Sequence, residues 1–203
     1  MAVTRTIEQD RALLAAAAQG DAAAVRAALD AGAQPDARDA QGRTALLLAA
    51  SADHVDAARA LVAAGADPNA QDARDDSPWL VTGVTGSVEM MRLLLPAGAD
   101  LTLRNRFGGI ALIPAAERGH VDYVRALLRE SDIDVDHVNY LGWTALLEAV
   151  ILGDGGRNHE EIVELLITAG ATPDLPDGEG VTALVHAERR GFERIAGLLR
   201  AVR

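Results

Sequence analysis

The sequence contains neither cysteine nor lysine. The cysteine count is zero, and all 19 basic residues are arginine. Without cysteine there is no thiol catalysis, no thiolate metal site and no disulfide. Without lysine there is no Schiff-base chemistry and no phosphate-binding loop of the kind that ends in Gly-Lys-Ser/Thr. The fold must therefore rest on packing and hydrogen bonds alone.

Aromatic residues and positive charge are also scarce. The chain has two Trp, two Tyr and two Phe, and 30 acidic residues against 19 basic ones give a formal net charge of −11. Nucleic acids and anionic membranes bind proteins that carry an excess of Lys and Arg. We expect neither as a partner.

Long apolar runs are missing as well. The run Ala12–Ala18 has seven residues, far short of the ~18 needed to cross a bilayer. Glu8 and Asp10 precede it, which is atypical of a signal peptide. We expect no membrane span and no export signal, which leaves the cytoplasm as the default location.

The sequence does contain an internal repeat. Thr44-Ala45-Leu46 returns as Ser77-Pro78-Trp79, Ile110-Ala111-Leu112, Thr144-Ala145-Leu146 and Thr182-Ala183-Leu184, at spacings of 33, 33, 34 and 38 residues. A second marker keeps the same register, as Gly32-Ala33, Gly65-Ala66, Gly98-Ala99 and Gly170-Ala171. A fixed period of this length indicates a repeat architecture.

The residues of one block predict two short antiparallel helices. Thr44 stands where an N-cap hydroxyl begins the first helix, and Gly65 stands where a left-handed residue ends the second. Between them the apolar residues recur at helical spacing. One such pair cannot bury its own apolar face, so the pairs must stack.

This pattern resembles the ankyrin-repeat family. The family's Gly-x-Thr-Pro-Leu-His-x-Ala-Ala motif corresponds to residues 42–50, and its Gly-Ala-Asp-x-Asn motif corresponds to residues 65–69. The resemblance implies an all-α solenoid of stacked helix-turn-helix units with projecting turn tips. It covers about 190 residues in one domain of six repeats, at 7–38, 39–71, 72–104, 105–138, 139–176 and 177–203.

The sequence departs from the family pattern at several positions. Apolar residues replace the family's His after Leu, at Leu47, Leu80, Ile113, Leu147 and Val185. In repeat four, Ile110 replaces the capping Thr and Ser131 replaces the Gly of Gly-Ala. We expect apolar contact in place of the polar cross-link, and we expect repeat four to be the least stable.

Few residues suggest chemistry. His54, His120 and His159 fall at the repeat's Gly-His position, so we expect them to have packing roles. Asp132, Asp134 and Asp136 alternate as in a calcium loop but lack its Gly and Glu, and the Gly153–Arg157 segment does not follow a strand as a phosphate loop would. We expect no metal, no cofactor and no enzymatic activity.

The resemblance also implies where a partner would bind. In the family the concave face is made by the turn tips before the capping Thr and by the residues that end each first helix. Carried over by position, the candidate partner-binding residues of repeats three to five are Arg74, Arg106, Phe107, Arg118, Tyr140, Leu141, Trp143, Ile151 and Leu152. Exposed aromatic and Arg clusters are typical of binding hot spots.

Other interpretations of the same residues stay open. The tip aromatics Phe107, Tyr140 and Trp143 could pack on one another instead of on a partner. Trp79, Tyr123 and Phe192 are expected in the core. The five-residue insertion Gly153–Arg157 in repeat five is either part of the binding region or a tolerated surface loop.

These observations predict a monomeric protein-binding scaffold with a groove centred on repeats three to five. Two other functions stay possible at this point. One is an inhibitory or chaperone-like partner of a specific enzyme or toxin, and the other is a small-molecule or metal-dependent enzyme. The lysine-free, alanine-rich composition is typical of a high-GC bacterial genome.

Overall fold

The computed structural model describes residues 2–202, and the side chains of residues 7–202. In this range the chain forms twelve α-helices in six consecutive pairs. Their bounds are α1 Ala2–Gln19, α2 Ala22–Asp30, α3 Ala45–Ser51, α4 Val55–Ala63, α5 Pro78–Thr85, α6 Val88–Leu94, α7 Leu112–Glu117, α8 Val121–Glu130, α9 Ala145–Ile151, α10 Arg157–Thr168, α11 Ala183–Arg189 and α12 Glu193–Ala201.

The chain divides into two compact bodies, Met1–Asp100 with α1–α6 and Leu101–Arg203 with α7–α12. Inside each body the first helices of successive pairs pack on one another, as α1 on α3 and α7 on α9 do. The second helices pack in a row of their own, as α4 does on α6 and α10 on α12. The six repeats predicted from the sequence each receive one helix pair, and their union in one domain stays a prediction.

Side-chain caps start three of the first helices as predicted. The hydroxyl of Thr44 accepts a hydrogen bond from the Leu47 amide, and Ser77 and Thr144 do the same for Leu80 and Leu147. Thr182 differs, because its buried hydroxyl caps nothing at the start of α11. The Thr/Ser marker therefore predicts where these helices begin more reliably than it predicts a hydrogen bond from its hydroxyl group to the first turn.

Repeat four lacks a cap, as its sequence predicts. Its first helix, α7, has six residues and begins at Leu112, with Ala111 in place of a capping side chain. Its second helix, α8, ends at an extended Ser131, whose hydroxyl donates to the Leu127 carbonyl. The expected low stability of this repeat stays a prediction.

The core consists mainly of apolar side chains, many of them Ala. Leu47, Leu80, Ile113 and Leu147, which replace the family's His, are buried. Trp79 and Tyr123 are buried, as predicted. Phe192 is not a core residue: it is half-buried at the N-cap of α12, with its ring packed against Gly155 and 4.6 Å from the Arg190 guanidinium.

Polar side chains link successive repeats within each body. In the first body, Asp36 accepts a hydrogen bond from the Asp67 amide at 2.9 Å, and Asn69 accepts one from the Asp100 amide at 2.8 Å. In the second body, Asp136 binds both the amide and the hydroxyl of Thr172, at 2.9 and 2.6 Å. The alternating Asp132–Asp136 segment therefore supplies an inter-repeat link.

Candidate functional site

The turn tips that precede the first helices share one hydrogen-bonding device. At each tip a carboxylate or carboxamide oxygen accepts the backbone N–H groups two and four residues later, which holds the turn in one conformation. The residues that do this are Asp39, Asp72, Asn105, Asn139 and Asp177. The sequence prediction did not include them, although they recur at the same spacings as the Thr marker.

In the second body, backbone and side-chain bonds join the tips of repeats four and five. The Tyr140 amide donates to the Phe107 carbonyl at 2.9 Å. His137 Nε2 donates to the Gly108 carbonyl at 2.8 Å. The two tips therefore form one continuous surface with a fixed backbone.

Exposed apolar side chains concentrate on this surface. Phe107, Tyr140 and Leu141 are 52%, 72% and 56% exposed on the tips, and Leu152, at the end of α9 that is away from the repeat-five tip, is 50% exposed. Val138, next to the repeat-five tip, is exposed too. The other large exposed apolar residues of the described chain lie elsewhere, at Ile7, Val84 and Val202. We call the set Phe107, Val138, Tyr140, Leu141 and Leu152 the apolar surface.

The tip aromatics have neighbours as well as exposure. The Tyr140 ring covers Gly108, where an added Cβ would lie 2.6 Å from Tyr140 Cδ1. The Arg106 guanidinium lies 4.5 Å from the centroid of the Phe107 ring. Trp143 is half-buried. Tyr140 thus packs in part against the neighbouring tip, at Gly108 and not at another aromatic ring, while most of its side chain stays accessible.

The remaining candidates lie at the ends of first helices or in the other body. Arg118 is exposed after α7, and Ile151 is half-buried at the end of α9. Arg190 of repeat six donates to the carbonyls of Val150 and Ile151, as a cation at a helix C-terminus should. Arg74 is exposed on the repeat-three tip, which belongs to the first body.

A buried carboxyl group lies beneath the repeat-five tip. Glu148 of α9 is 5% exposed, and its Oε1 accepts a hydrogen bond from Asn139 Nδ2 at 2.8 Å. Burial, reinforced by the charge of Glu117, raises the pKa of Glu148 to about 7. Sequence reasoning missed this residue, although an acidic residue on the buried face of an otherwise apolar helix was a signal for it.

The insertion in repeat five is a tightly packed loop. An added Cβ on Gly153 would lie 2.1 Å from the Ala149 carbonyl oxygen. His159 Nδ1 lies 2.7 Å from Asp154 Oδ1, and its Nε2 donates to the Glu117 carbonyl at 3.0 Å. The insertion is therefore built into the packing of repeats four and five.

The three histidines at the repeat's Gly-His position lie at or near the starts of second helices. His54 and His120 each occupy the N-cap of a second helix. His159 does not, because the insertion starts α10 three residues earlier, at Arg157, with Gly156 as its N-cap. Among the side chains of residues 7–202 no three His, Asp or Glu groups converge as metal ligands. No helix within residues 2–202 has the length and apolarity needed to cross a membrane.

Comparison with protein families and curated proteins places these repeats in a known context. A family model described as ankyrin repeats (3 copies) matches residues 2–72 and 81–177. The putative ankyrin repeat protein YahD of Escherichia coli is 51% identical over 94 residues, which is 46% of this chain and 47% of that protein. A mitochondrial disaggregase of Bos taurus is 40% identical over 67 residues, 33% of this chain and 9% of that protein. The chain thus aligns with less than half the length of either curated relative.

Solved structures match over more of the chain. An ankyrin repeat domain from Acinetobacter baumannii is 49% identical with a TM-score of 0.89, covering 94% of this chain and 96% of that one. The ankyrin repeat protein EF0377 is 40% identical with a TM-score of 0.90, covering 94% and 97%. The ankyrin repeat domain of Bcl-3, a member of the IkappaB family, is 28% identical with a TM-score of 0.83, covering 94% and 85%.

Proposed function

The chain belongs to the ankyrin-repeat family, whose repeats are generally protein-interaction modules, and we propose that it binds a partner protein through the apolar surface of repeats four and five. The predicted fold class, an all-α ankyrin-repeat solenoid, is confirmed. Family members are generally non-catalytic scaffolds. The cytoplasmic location and the monomeric state remain predictions.

The concentration of exposed apolar side chains carries this proposal. Single exposed apolar residues are ordinary on protein surfaces, but a contiguous group marks an interaction site. Phe107, Tyr140 and Leu141 belong to two tips that share a backbone hydrogen bond. Because the turn bonds of Asn105 and Asn139 already hold both tips, little ordering entropy is lost when a partner binds.

Each candidate residue has a distinct part in the proposed interface. Phe107, Tyr140, Leu141 and Leu152 are the apolar anchors. Trp143 and Ile151, which are half-buried, form the border of the surface. Arg106 and Arg118 orient the partner through hydrogen bonds to its carboxylate or carbonyl oxygens. The predicted groove also included Arg74 of the first body, and that assignment stays a prediction.

Affinity capture from a native-cell lysate tests the proposal. The test variant is Phe107→Ser with Leu141→Ser, which removes two exposed anchors and leaves Tyr140 on Gly108. The matched control is Ile7→Ser with Val202→Ser, which removes two exposed apolar side chains elsewhere. All three proteins are first checked for equal thermal melting.

We expect wild type and the control to capture the same protein, and the test variant to lose it. Loss of two anchors should weaken binding by about 2 kcal/mol or more, roughly thirtyfold. Equal capture by all three proteins would move the binding surface elsewhere. A captured enzyme or toxin that loses activity on binding would favour the inhibitory function over simple scaffolding.

A further inference from the structure

We infer that the partner segment bound by the apolar surface is an extended peptide that carries carboxylate side chains among its apolar ones. This inference rests on the proposed function, because it specifies the chemistry of the segment that would cover the same surface. Three observations on the tips and first helices of the second body support it.

The first observation is the charge of the turn tips. The repeat-three tip carries Asp72, Asp75 and Asp76, and the repeat-six tip carries Asp177 and Glu179. The tips of repeats four and five, residues 105–109 and 139–143, contain no acidic residue, and Arg106 makes the former positive. In a chain of net charge −11, acidic residues are missing from the two tips that expose aromatic side chains.

The second observation is the residue that closes each tip. Asp39, Asp72 and Asp177 close the tips of repeats two, three and six, whereas Asn105 and Asn139 close those of repeats four and five. Asp and Asn make the same pair of bonds to the backbone, so the turn itself does not require the change. Asn removes one negative charge from each of these tips, and at repeat five its amide group also donates to Glu148 Oε1, which an Asp could not do.

The third observation is the distribution of charge along the first helices. Arg118 is exposed at the far end of α7, whereas Glu148 on α9 is buried and bonded to Asn139. Glu117, the acidic residue of α7 that precedes Arg118, is half-buried and so less accessible than Arg118. The exposed charges beside the repeat-four tip and at the end of α7 are thus the guanidinium groups of Arg106 and Arg118, which bind carboxylates in a bidentate geometry, whereas the exposed carboxylate of Asp154 lies at the other edge, beside Leu152.

The dimensions fit a short extended segment. Helix α7 has six residues and is therefore about 9 Å long, so Arg106 at the tip and Arg118 at the helix end lie on either side of that length. An extended chain advances about 3.3 Å per residue. About three extended residues span α7 alone, and the tip residues 107–111 add to the separation, so the segment that reaches both guanidinium groups while its apolar side chains cover Phe107 and Tyr140 must be longer than that.

Selection from a displayed library of random peptides tests the inference. Peptides selected on the wild-type chain are sequenced, and their dissociation constants are measured for four single variants. Asn105→Asp adds a negative charge while keeping the turn bonds, and Arg106→Gln removes a positive one. The controls make the same charge changes elsewhere: Gln41→Glu on an exposed tip of the first body, and Arg129→Gln on α8.

We expect selected peptides to combine Asp or Glu with aromatic or aliphatic residues. Asn105→Asp and Arg106→Gln should each weaken them about fivefold or more, and the controls should change binding by less than about twofold. Added salt should weaken binding to wild type and narrow the difference between wild type and the two tip variants.

Other outcomes separate this inference from the proposed function. Peptides that are neutral or basic, that bind the charge variants unchanged and that still require Phe107 and Leu141 would overturn the acidic segment and leave the binding surface in place. Peptides that bind the Phe107→Ser, Leu141→Ser variant as tightly as wild type would overturn both.

Discussion

At the scale of single residues, Glu148 shows how a buried polar group can serve the fold and also weaken it. Its hydrogen bond to Asn139 connects the repeat-five tip to α9, because Asn139 also accepts hydrogen bonds from the backbone amides of Leu141 and Trp143. Burial and the charge of Glu117 raise the pKa of Glu148 to about 7, from an ordinary value of 4.5. Between pH 4.5 and about pH 7, Glu148 is therefore protonated in the native state and ionised in the unfolded state.

Replacing Glu148 by Gln should remove a pH dependence of stability. In wild type the free energy of unfolding should fall as pH rises from about 4.5 through about 7, by up to about 3 kcal/mol. Gln keeps the acceptor for Asn139 and carries no charge, so the variant should be the more stable protein at pH 8. Urea unfolding at pH 5 and pH 8 measures this. With exposed Glu130→Gln as control, an equal pH dependence in wild type and Glu148→Gln would refute it.

Two glycines of the second body should respond to alanine in opposite directions. Gly153→Ala would place a Cβ 2.1 Å from the Ala149 carbonyl oxygen, so we expect a loss of about 2 kcal/mol or more. Gly197 lies within α12 and an added Cβ meets nothing within 4 Å, so Gly197→Ala should stabilise by about 0.5–1 kcal/mol. Thermal and urea unfolding of both variants give the signs. A neutral Gly153→Ala would mean that the insertion can move away.

At the scale of elements, helix starts could be predicted because their signals are local. The Thr and Gly markers lie within a few residues of the helix ends that they specify, and α3, α5 and α9 begin directly after Thr44, Ser77 and Thr144. Phe192 was wrongly expected in the core because the insertion supplies Gly155, against which the Phe192 ring packs. Contacts between residues far apart in sequence are not contained in a repeat pattern.

Helix α7 should open more readily than the capped first helices α3 and α9. It has six residues and no capping side chain, whereas α3 has seven and is capped by Thr44. A missing cap costs about 1 kcal/mol. In native-state hydrogen exchange the amides of α7 should exchange faster than those of α3 and α9. Thr144→Ala removes the cap of α9, so the exchange rates of the α9 amides should rise toward those of α7. Equal protection of α7 and α3 in wild type would contradict this prediction.

The candidate surface was predictable in position but not in detail. The repeat pattern and the family resemblance place Phe107, Tyr140 and Leu141 on turn tips, and the structure leaves all three exposed. That Tyr140 covers Gly108 while Trp143 is half-buried follows from how neighbouring tips pack, which the sequence pattern does not contain. The Asp and Asn residues that close the tips were visible in the sequence, but only their bonds show what they do.

At the scale of the whole molecule, each body is a set of repeats that contact their neighbours, so its stability depends on links from one repeat to the next. Asp36, Asn69 and Asp136 supply such links through a repeated side-chain bond to the backbone of the following repeat. Asp36 and Asn69 are one repeat period apart, and Asn69 and Asp136 are about two periods apart. All three occupy the Asn position of the family's Gly-Ala-Asp-x-Asn motif. The motif is therefore an inter-repeat connector in this chain.

Asp136 separates this structural role from a calcium role. Asp136→Ala removes the bonds to the amide and hydroxyl of Thr172 and should destabilise the second body by about 1 kcal/mol. Asp136→Asn keeps an acceptor for the Thr172 amide, so it should lose less stability than Asp136→Ala. Because the Asp136 carboxylate is already bonded within the protein, millimolar calcium should leave the melting temperature of wild type unchanged. A melting temperature that rises with calcium in wild type and not in Asp136→Asn would show instead that this segment binds the ion, and would give the alternating aspartates a function that their hydrogen bonds do not require.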